Sequence, residues 1–382
     1  MDFKTVAIIG GSARNKGALL MLDSTIKLLI QKKIKKVYIF TPFLNEDMPF
    51  FEQYKNFFKE LEVINWSQRN IVLSFVLSIF KIKKTKINKA LYTSTHVIDI
   101  SGISFVSSRG YKHFVYNCIS IFLPSMFECR IIKFPQSFGP LNGIIHKKIA
   151  NFALKKCDYI FSRGLESKKT LDSININTVL TPDLGFLAKN NYSENNRTHI
   201  GIQPSIVVKK YFTEKSIDYE KFLTSLIINL RDRGYELIVF PQAFYVKDTN
   251  DLFNDTLIIK NLENTITNDE NINFINKDLT LDELYSIYSK LTTCITSRFH
   301  GMIMSLTSGV LPLVVGWNHK YQEVLEDFRL SDLSFDIEQD LNEKILNKFE
   351  EIQENISSIS GDIFKHLNSY NGEKDKLLNS LD

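Results

Sequence analysis

Thr296-Ser297-Arg298-Phe299-His300-Gly301-Met302-Ile303-Met304-Ser305-Leu306-Thr307-Ser308-Gly309-Val310 follows directly on the apolar pair Cys294-Ile295. The stretch reads as the end of a strand (Cys294 to Thr296), a tight turn, and a helix of small and apolar residues that Gly309 closes. A helix start offers backbone N–H groups without intrahelical partners and the positive end of a dipole, so anions settle there. Arg298 and His300 stand at that start, two residues apart. A guanidinium matches a carboxylate or phosphate with paired hydrogen bonds, and an imidazole moves a proton near neutral pH. Alone, each has a plainer reading: Arg298 as the partner of a core carboxylate, His300 as a hydrogen-bonded turn residue. Together at a strand-to-helix junction, where open α/β sheets bind ligands, they form the candidate reaction centre.

Outward from this motif the chain alternates strand and helix patterns. Thr5 to Ile9 is a β-rich run, followed by the turn Gly10-Gly11-Ser12-Ala13-Arg14-Asn15-Lys16-Gly17 and a helical stripe over Ala18 to Lys32. That turn is neither a dinucleotide fingerprint nor a P-loop. It reads either as a ligand loop, with Asn15 and backbone N–H groups as donors, or as a plain connection. Strands are predicted at Lys36–Thr41, Val63–Trp66, His96–Ser101, Arg130–Phe134, Tyr159–Ser162 and Asn177–Leu180. Pro135 to Leu141 reads as a turn, and helices fill the intervals. Ala188 to Arg197 is polar, rich in asparagine and aperiodic, as a linker would be. The pattern then restarts, with strands at His199–Gln203, Glu236–Pro241, Asn273–Ile275 and Leu311–Val315. Predicted helices are Tyr219–Arg233, Thr249–Asn264, Leu281–Leu291 and Gln322–Phe328, and a charged helical stretch, Leu341–Leu381, ends the chain. The expected fold is α/β: two Rossmann-like domains, 1–187 and 198–337, facing across a cleft, plus a helical segment at 338–382.

The 382 residues exceed one ordinary core, and 44% hydrophobic with 24% charged residues is the composition of a soluble globular chain. A net charge of +4 and the lack of any basic–aromatic repeat argue against a nucleic-acid partner. Cys118, Cys129, Cys157 and Cys294 are scattered, which gives neither a zinc motif nor a disulfide framework and suits a reducing compartment. The chain opens on a strand pattern rather than a signal peptide, and no apolar run reaches the roughly 18 residues that span a bilayer. The expected location is cytoplasmic. Ile71 to Phe80, however, is almost wholly apolar and is followed by Lys81, Lys83, Lys84, Lys86 and Lys89. This pattern fits peripheral contact with an anionic membrane face, and equally a buried helix with a basic end.

Ser297-Arg298-Phe299-His300-Gly301-Met302, with Gly309-Val310 and Lys320-Tyr321 behind it, resembles the polysaccharide pyruvyl transferase family. In order along the chain, Asn15-Lys16-Gly17-Ala18, Asp99-Ile100-Ser101-Gly102, Gln136-Ser137-Phe138-Gly139-Pro140, Ser162-Arg163-Gly164-Leu165-Glu166-Ser167 and Pro182-Asp183 agree with it. Two positions depart from the family pattern. Ala18 stands where many relatives carry Asp, and Gly164 where Glu is usual.

The resemblance implies a GT-B-like fold and an enzyme that needs no metal or resident cofactor. Phosphoenolpyruvate would be its co-substrate, and its product a cyclic pyruvate ketal on a sugar hydroxyl pair. The acceptor would be a saccharide of a surface polysaccharide, with a polyprenyl diphosphate carrier at the inner membrane surface as one form of it. In that reading Arg298, His300, Gly301 and Lys320 hold the donor, and His300 carries one proton transfer. Asp99, Asp183 and Glu166 are the candidate bases, while Asn15, Gly17, Gln136 and Arg163 face ligand. Two further readings share the pattern: a GT-B glycosyltransferase using a nucleotide sugar, and a non-catalytic glycan-binding subunit.

Overall fold

The central strands of this protein are short apolar runs buried along their whole length, covered on both faces, so they need no polar alternation. The computed structural model describes residues 4–13, 15–187, 197–244, 254–266, 269–316 and 319–382. It divides into two units, one of residues 1–13, 18–187 and 371–382, the other of residues 14–17 and 188–370.

The first unit is built on Thr5–Ile9 (β1), Lys36–Thr41 (β2), Glu60–Asn65 (β3), His96–Asp99 (β4), Ile103–Ser104 (β5), Arg130–Phe138 (β6), Tyr159–Arg163 (β7) and Val179–Thr181 (β8). All pairs are parallel, in the order β3-β2-β1-β4-β6-β7-β8, with β5 beside the end of β6. Right-handed crossovers between parallel strands put connections that run toward one edge on one face of the sheet. Helices Gln68–Ile79, Lys86–Thr93, Gly110–Ser125, Ile144–Leu154 and Leu165–Asp172 therefore share a face, and Lys16–Gln31 and Leu44–Glu52 take the other. The alternation of β1 divides the core accordingly. Val6 and Ile8 pack with Ile26, Phe51 and Leu377, whereas Ala7 and Ile9 pack with Ile71, Leu91 and Leu123.

The second unit repeats the plan with His199–Gln203 (β9), Glu236–Val239 (β10), Ile272–Phe274 (β11), Leu291–Thr296 (β12), Leu311–Val315 (β13) and Ser334–Phe335 (β14). Its parallel order is β11-β10-β9-β12-β13-β14, the 3-2-1-4-5-6 order of a Rossmann sheet. The order reverses between β9 and β12, and the Arg298 turn leaves the carboxyl end of β12.

Several expectations shift on contact with the structure. Pro135 to Phe138 continues β6 instead of turning, because β5 pairs with Ser137 and Phe138 and prolongs the strand. The register with β7 slips between Lys133 and Gln136, which accommodates a proline without an N–H. A helix at Ile206–Glu214 was not expected, since Ile206-Val207-Val208 is β-branched and packing overrides weak propensity there. The terminal charged stretch is three helices, Leu341–Ile352, Ile356–Ser369 and Asn371–Asn379; the first two lie in the second unit and the last in the first. The helix expected from Thr249 begins at Thr256, and residues 249–253 lie outside the described residues. So does the linker, apart from Arg197.

Candidate active site

Within the second unit, helix Phe299–Thr307 starts where β12 ends, and Arg298 is its N-cap in an extended conformation. The Arg298 N–H donates to Thr296 Oγ1 (3.1 Å), and the Arg298 side chain itself makes no cap hydrogen bond. The guanidinium is oriented by Asp255, which is fully buried. Nε donates to Oδ2 at 3.0 Å and a terminal nitrogen donates to Oδ1. The same carboxylate accepts from the backbone N–H groups of Ile206 (3.0 Å) and Ala243 (2.9 Å). This grip uses two of the five guanidinium N–H donors.

Around Arg298 lies a pocket of about 180 Å³, lined in part by Asn15, Ser205, Ser297, Arg298, His300 and Lys320. The His300 ring packs on Gly17, where an added Cβ would fall 2.0 Å from Nδ1. Asn15 Oδ1 accepts the Gly17 N–H at 2.8 Å, and Asn15 bridges to Ala243. The Asn-x-Gly segment thus forms the seat of the imidazole, and only glycine fits it. Phe299 meets His300 edge-on (5.3 Å) and Tyr321 (5.6 Å), and the Lys320 ammonium lies 4.7 Å from the Phe299 ring centre. Ser205 Oγ is buried with no protein partner among the described residues. Lys16, beside Asn15, is buried and pairs with Asp278 (2.7 Å).

Behind the helix start a buried polar network fixes its position. Gln203 Oε1 accepts from Thr296 Oγ1 (2.9 Å), and Gln203 Nε2 donates to Gln242 Oε1 (2.8 Å). Gln203 Oε1 would sit 1.9 Å from a Cβ on Gly301, so that position admits no side chain. Tyr321 donates to the Ser297 carbonyl (3.3 Å), and Tyr219 to Ser297 Oγ (3.3 Å). Burial pushes the Tyr219 hydroxyl up to about 12 and raises Tyr321 as well, so both remain donors at neutral pH.

The first unit gathers its candidate residues at the carboxyl ends of β4, β6, β7 and β8. Asp99, 1% exposed, pairs with the fully buried Lys133 (2.5 Å) and accepts the Ser101 N–H (2.8 Å). Gln136 Nε2 donates to the Asp99 carbonyl (2.9 Å), and Gln136 Oε1 accepts from Ser104. Arg163 pairs with buried Asp183 and donates to Ser137 Oγ (2.9 Å) and the Gly102 carbonyl (3.2 Å). Asp183 also accepts the Gly185 N–H (2.8 Å). Glu166 is exposed and pairs with Lys169 (2.6 Å).

Arg298, His300, Gly301, Lys320, Asn15 and Gly17 are thus together in the second unit, and Asp99, Gln136, Arg163 and Asp183 together in the first. Sequence reasoning did not single out Asp255, Gln203, Lys133 or Tyr219. The signal for Gln203 was present, as a polar residue ending an apolar strand. Among the described residues no three His, Cys, Asp or Glu side chains are grouped as metal ligands would be.

The model of the polysaccharide pyruvyl transferase family matches residues 15–319, most of the chain. The chain belongs to that family. This family member shares its fold with the UDP-GlcNAc 2-epimerase of Neisseria meningitidis, solved with UDP-GlcNAc bound, at a TM-score of 0.59 and 12% identity over 99% of each chain. A glycosyltransferase from Rickettsia africae matches at 0.57 and 12% identity over 100% of this chain and 99% of its own. The UDP-GlcNAc 2-epimerase of Methanocaldococcus jannaschii gives 0.57 and 11% over 91% and 92%. At these identities the likeness is one of fold, two parallel α/β sheets of the GT-B kind.

Proposed function

We propose that this family member transfers the pyruvyl group of phosphoenolpyruvate to two hydroxyls of a saccharide, forming a cyclic ketal and releasing phosphate. The observation that carries the reading is the pocket at the start of helix Phe299–Thr307. It combines a helix N-terminus, an oriented guanidinium, an ammonium and an imidazole. Phosphoenolpyruvate carries a carboxylate and a phosphate on a three-carbon frame, and such a site complements both. The pocket is smaller than the roughly 300–1,000 Å³ typical of drug-sized ligands, which favours a compact donor.

In the proposed reaction Arg298, the first-turn N–H groups and Lys320 bind the donor's anionic groups, and Ser205 Oγ adds a hydroxyl donor. Protonation of the donor's methylene carbon makes C2 electrophilic. One sugar hydroxyl attacks C2 and loses its proton. The C2–O bond to phosphate then breaks as the second hydroxyl closes the ring, and the departing phosphate takes up that second proton. His300 carries one of these transfers, either to the methylene carbon or to phosphate. Asp99 and Asp183 sit in buried ion pairs, so we assign them to holding the strand ends, with Gln136 and Arg163, on the acceptor side. The acceptor we favour is a lipid-linked precursor of a surface polysaccharide.

The test is phosphate release from phosphoenolpyruvate in the presence of a panel of aryl and lipid-linked glycosides. Release that depends on a glycoside, together with thermal stabilisation by phosphoenolpyruvate, is the expected result. Stabilisation by a nucleoside diphosphate and not by phosphoenolpyruvate would instead assign a nucleotide-sugar glycosyltransferase. Glycoside binding with no release would leave a glycan-binding subunit.

A further inference from the structure

One face of the first unit leaves large apolar side chains in the open. Helix Gln68–Ile79 buries Ile71, Ser74 and Ser78 and turns Val72 and Val76 outward, and Phe80 at its C-cap continues the row at steps of four. Helix Gly110–Ser125 packs beside it, and Tyr111 and Val115 stand exposed one turn apart. Next comes helix Ile144–Leu154, joined to its neighbour through the Phe122 and Phe152 rings (5.7 Å). On it Ile144 and Ile145 are 73% and 72% exposed, and Ile149 and Phe152 continue the row. Among the described residues, the large apolar side chains that stand exposed all belong to the first unit. A contiguous apolar face of this kind marks a surface that meets something.

Charge is segregated with it. Residues 66–157, which supply these helices, contain fourteen Lys and Arg against two Asp and Glu, whereas the whole chain nets only +4. One of the two acids, Asp99, is buried against Lys133. Exposed lysines flank the apolar rows: Lys83, Lys84 and Lys86 beyond the first helix, Lys147 and Lys148 within the third. No helix among the described residues is long and apolar enough to cross a membrane.

We propose that this three-helix face docks on an anionic bilayer surface, its apolar rows at the boundary between headgroups and acyl chains and its lysines against lipid phosphates. The occupant is argued from charge. A second copy of the chain would bring two strongly cationic faces together, whereas a leaflet of anionic lipid complements both features at once. The proposal rests on surface and charge alone and does not depend on the transfer reaction.

The experiment is sedimentation of the full-length protein with vesicles of phosphatidylcholine, or of phosphatidylcholine with about a third phosphatidylglycerol. At least roughly tenfold stronger partition onto the anionic vesicles is expected, weakening as salt is raised. Replacing Lys83, Lys84, Lys147 and Lys148 by Gln should lower that partition about tenfold or more. Replacing Val76, Phe80, Ile144 and Ile145 by Ser should lower it although every lysine remains. These positions are exposed, so circular dichroism and melting temperature should stay as in the parent. Failure of the parent to pellet with anionic vesicles overturns the proposal. So does a dimer in light scattering that the serine variant dissociates, which would assign the face to a second copy. Phosphate release with a soluble glycoside should be unchanged in both variants, which separates this outcome from any failure of the transfer reading.

Discussion

Asp255 holds two backbone N–H groups and the guanidinium of Arg298 at once, in full burial. A buried carboxylate that loses its cation is costly, about 3–5 kcal/mol. Arg298→Ala is therefore predicted to lose both stability and donor affinity. Adding Asp255→Asn should recover part of the stability in urea titrations without restoring phosphoenolpyruvate binding by calorimetry. Recovery of binding in the double variant would remove Arg298 from the donor site. His300→Ala should lower kcat by about 10²–10⁴ while leaving donor affinity within a few-fold, the signature of a proton carrier. His96 carries a pH prediction. Burial, and then the charges of Arg130 and Lys4, lower its pKa to about 4. Unfolded histidine takes a proton near 6.5, so between about pH 6.5 and 4 only the unfolded chain is protonated. Stability is complete above that window and declines on acidification through it, by on the order of 2–3 kcal/mol from this group. His96→Gln should flatten that decline in melts run across pH.

At the scale of elements, the start of helix Phe299–Thr307 is set by what lies behind it. A methyl at Gly301 would strike Gln203, whose amide is held by Thr296, so Gly301→Ala must displace a connected network. The expected cost is about 1–3 kcal/mol, with a loss of donor affinity read by titration. Helix Leu281–Tyr288 shows a separable effect. Thr280 and Glu283 form a capping box, with Thr280 Oγ1 accepting the Glu283 N–H at 3.2 Å. Thr280→Ala should cost about 1 kcal/mol in a denaturant titration and leave turnover alone. Local signals of this sort were legible in the chain. The Arg298 turn was legible as a helix start because Arg, His and Gly gather there between an apolar strand and a helix of small residues. Strands β1, β2, β9 and β13 fell where their runs placed them, because composition alone marks a strand covered on both faces. Helix Ile206–Glu214 was not legible, because tertiary contacts decide the state of a β-branched run.

At the scale of the whole molecule, the last helix returns to the first unit. Leu377, Leu378 and Leu381 enter the core that contains Val6, Ile26 and Phe51. The main-chain oxygen of Leu381 accepts from Lys4 (2.5 Å), and Asp382 pairs with Lys32 (2.7 Å). Leu377→Ala is predicted to cost about 2–5 kcal/mol, and removal of residues 371–382 should expose the core to dye binding and proteolysis. An unchanged urea midpoint after that truncation would show that the contact contributes nothing. The sequence by itself determined the α/β alternation, the two parallel sheets and the helix start that carries Arg298 and His300, because each follows from periodicity and residue type within a few neighbouring positions. Only the tertiary structure decided that Asp255, 43 residues from Arg298, orients the guanidinium, that Lys133 neutralises Asp99, and that three helices present one apolar, lysine-flanked face. Partner choice between charges and the exposure of a helix stripe depend on which distant segments meet. That is set by burial and chain topology, and no local pattern encodes it.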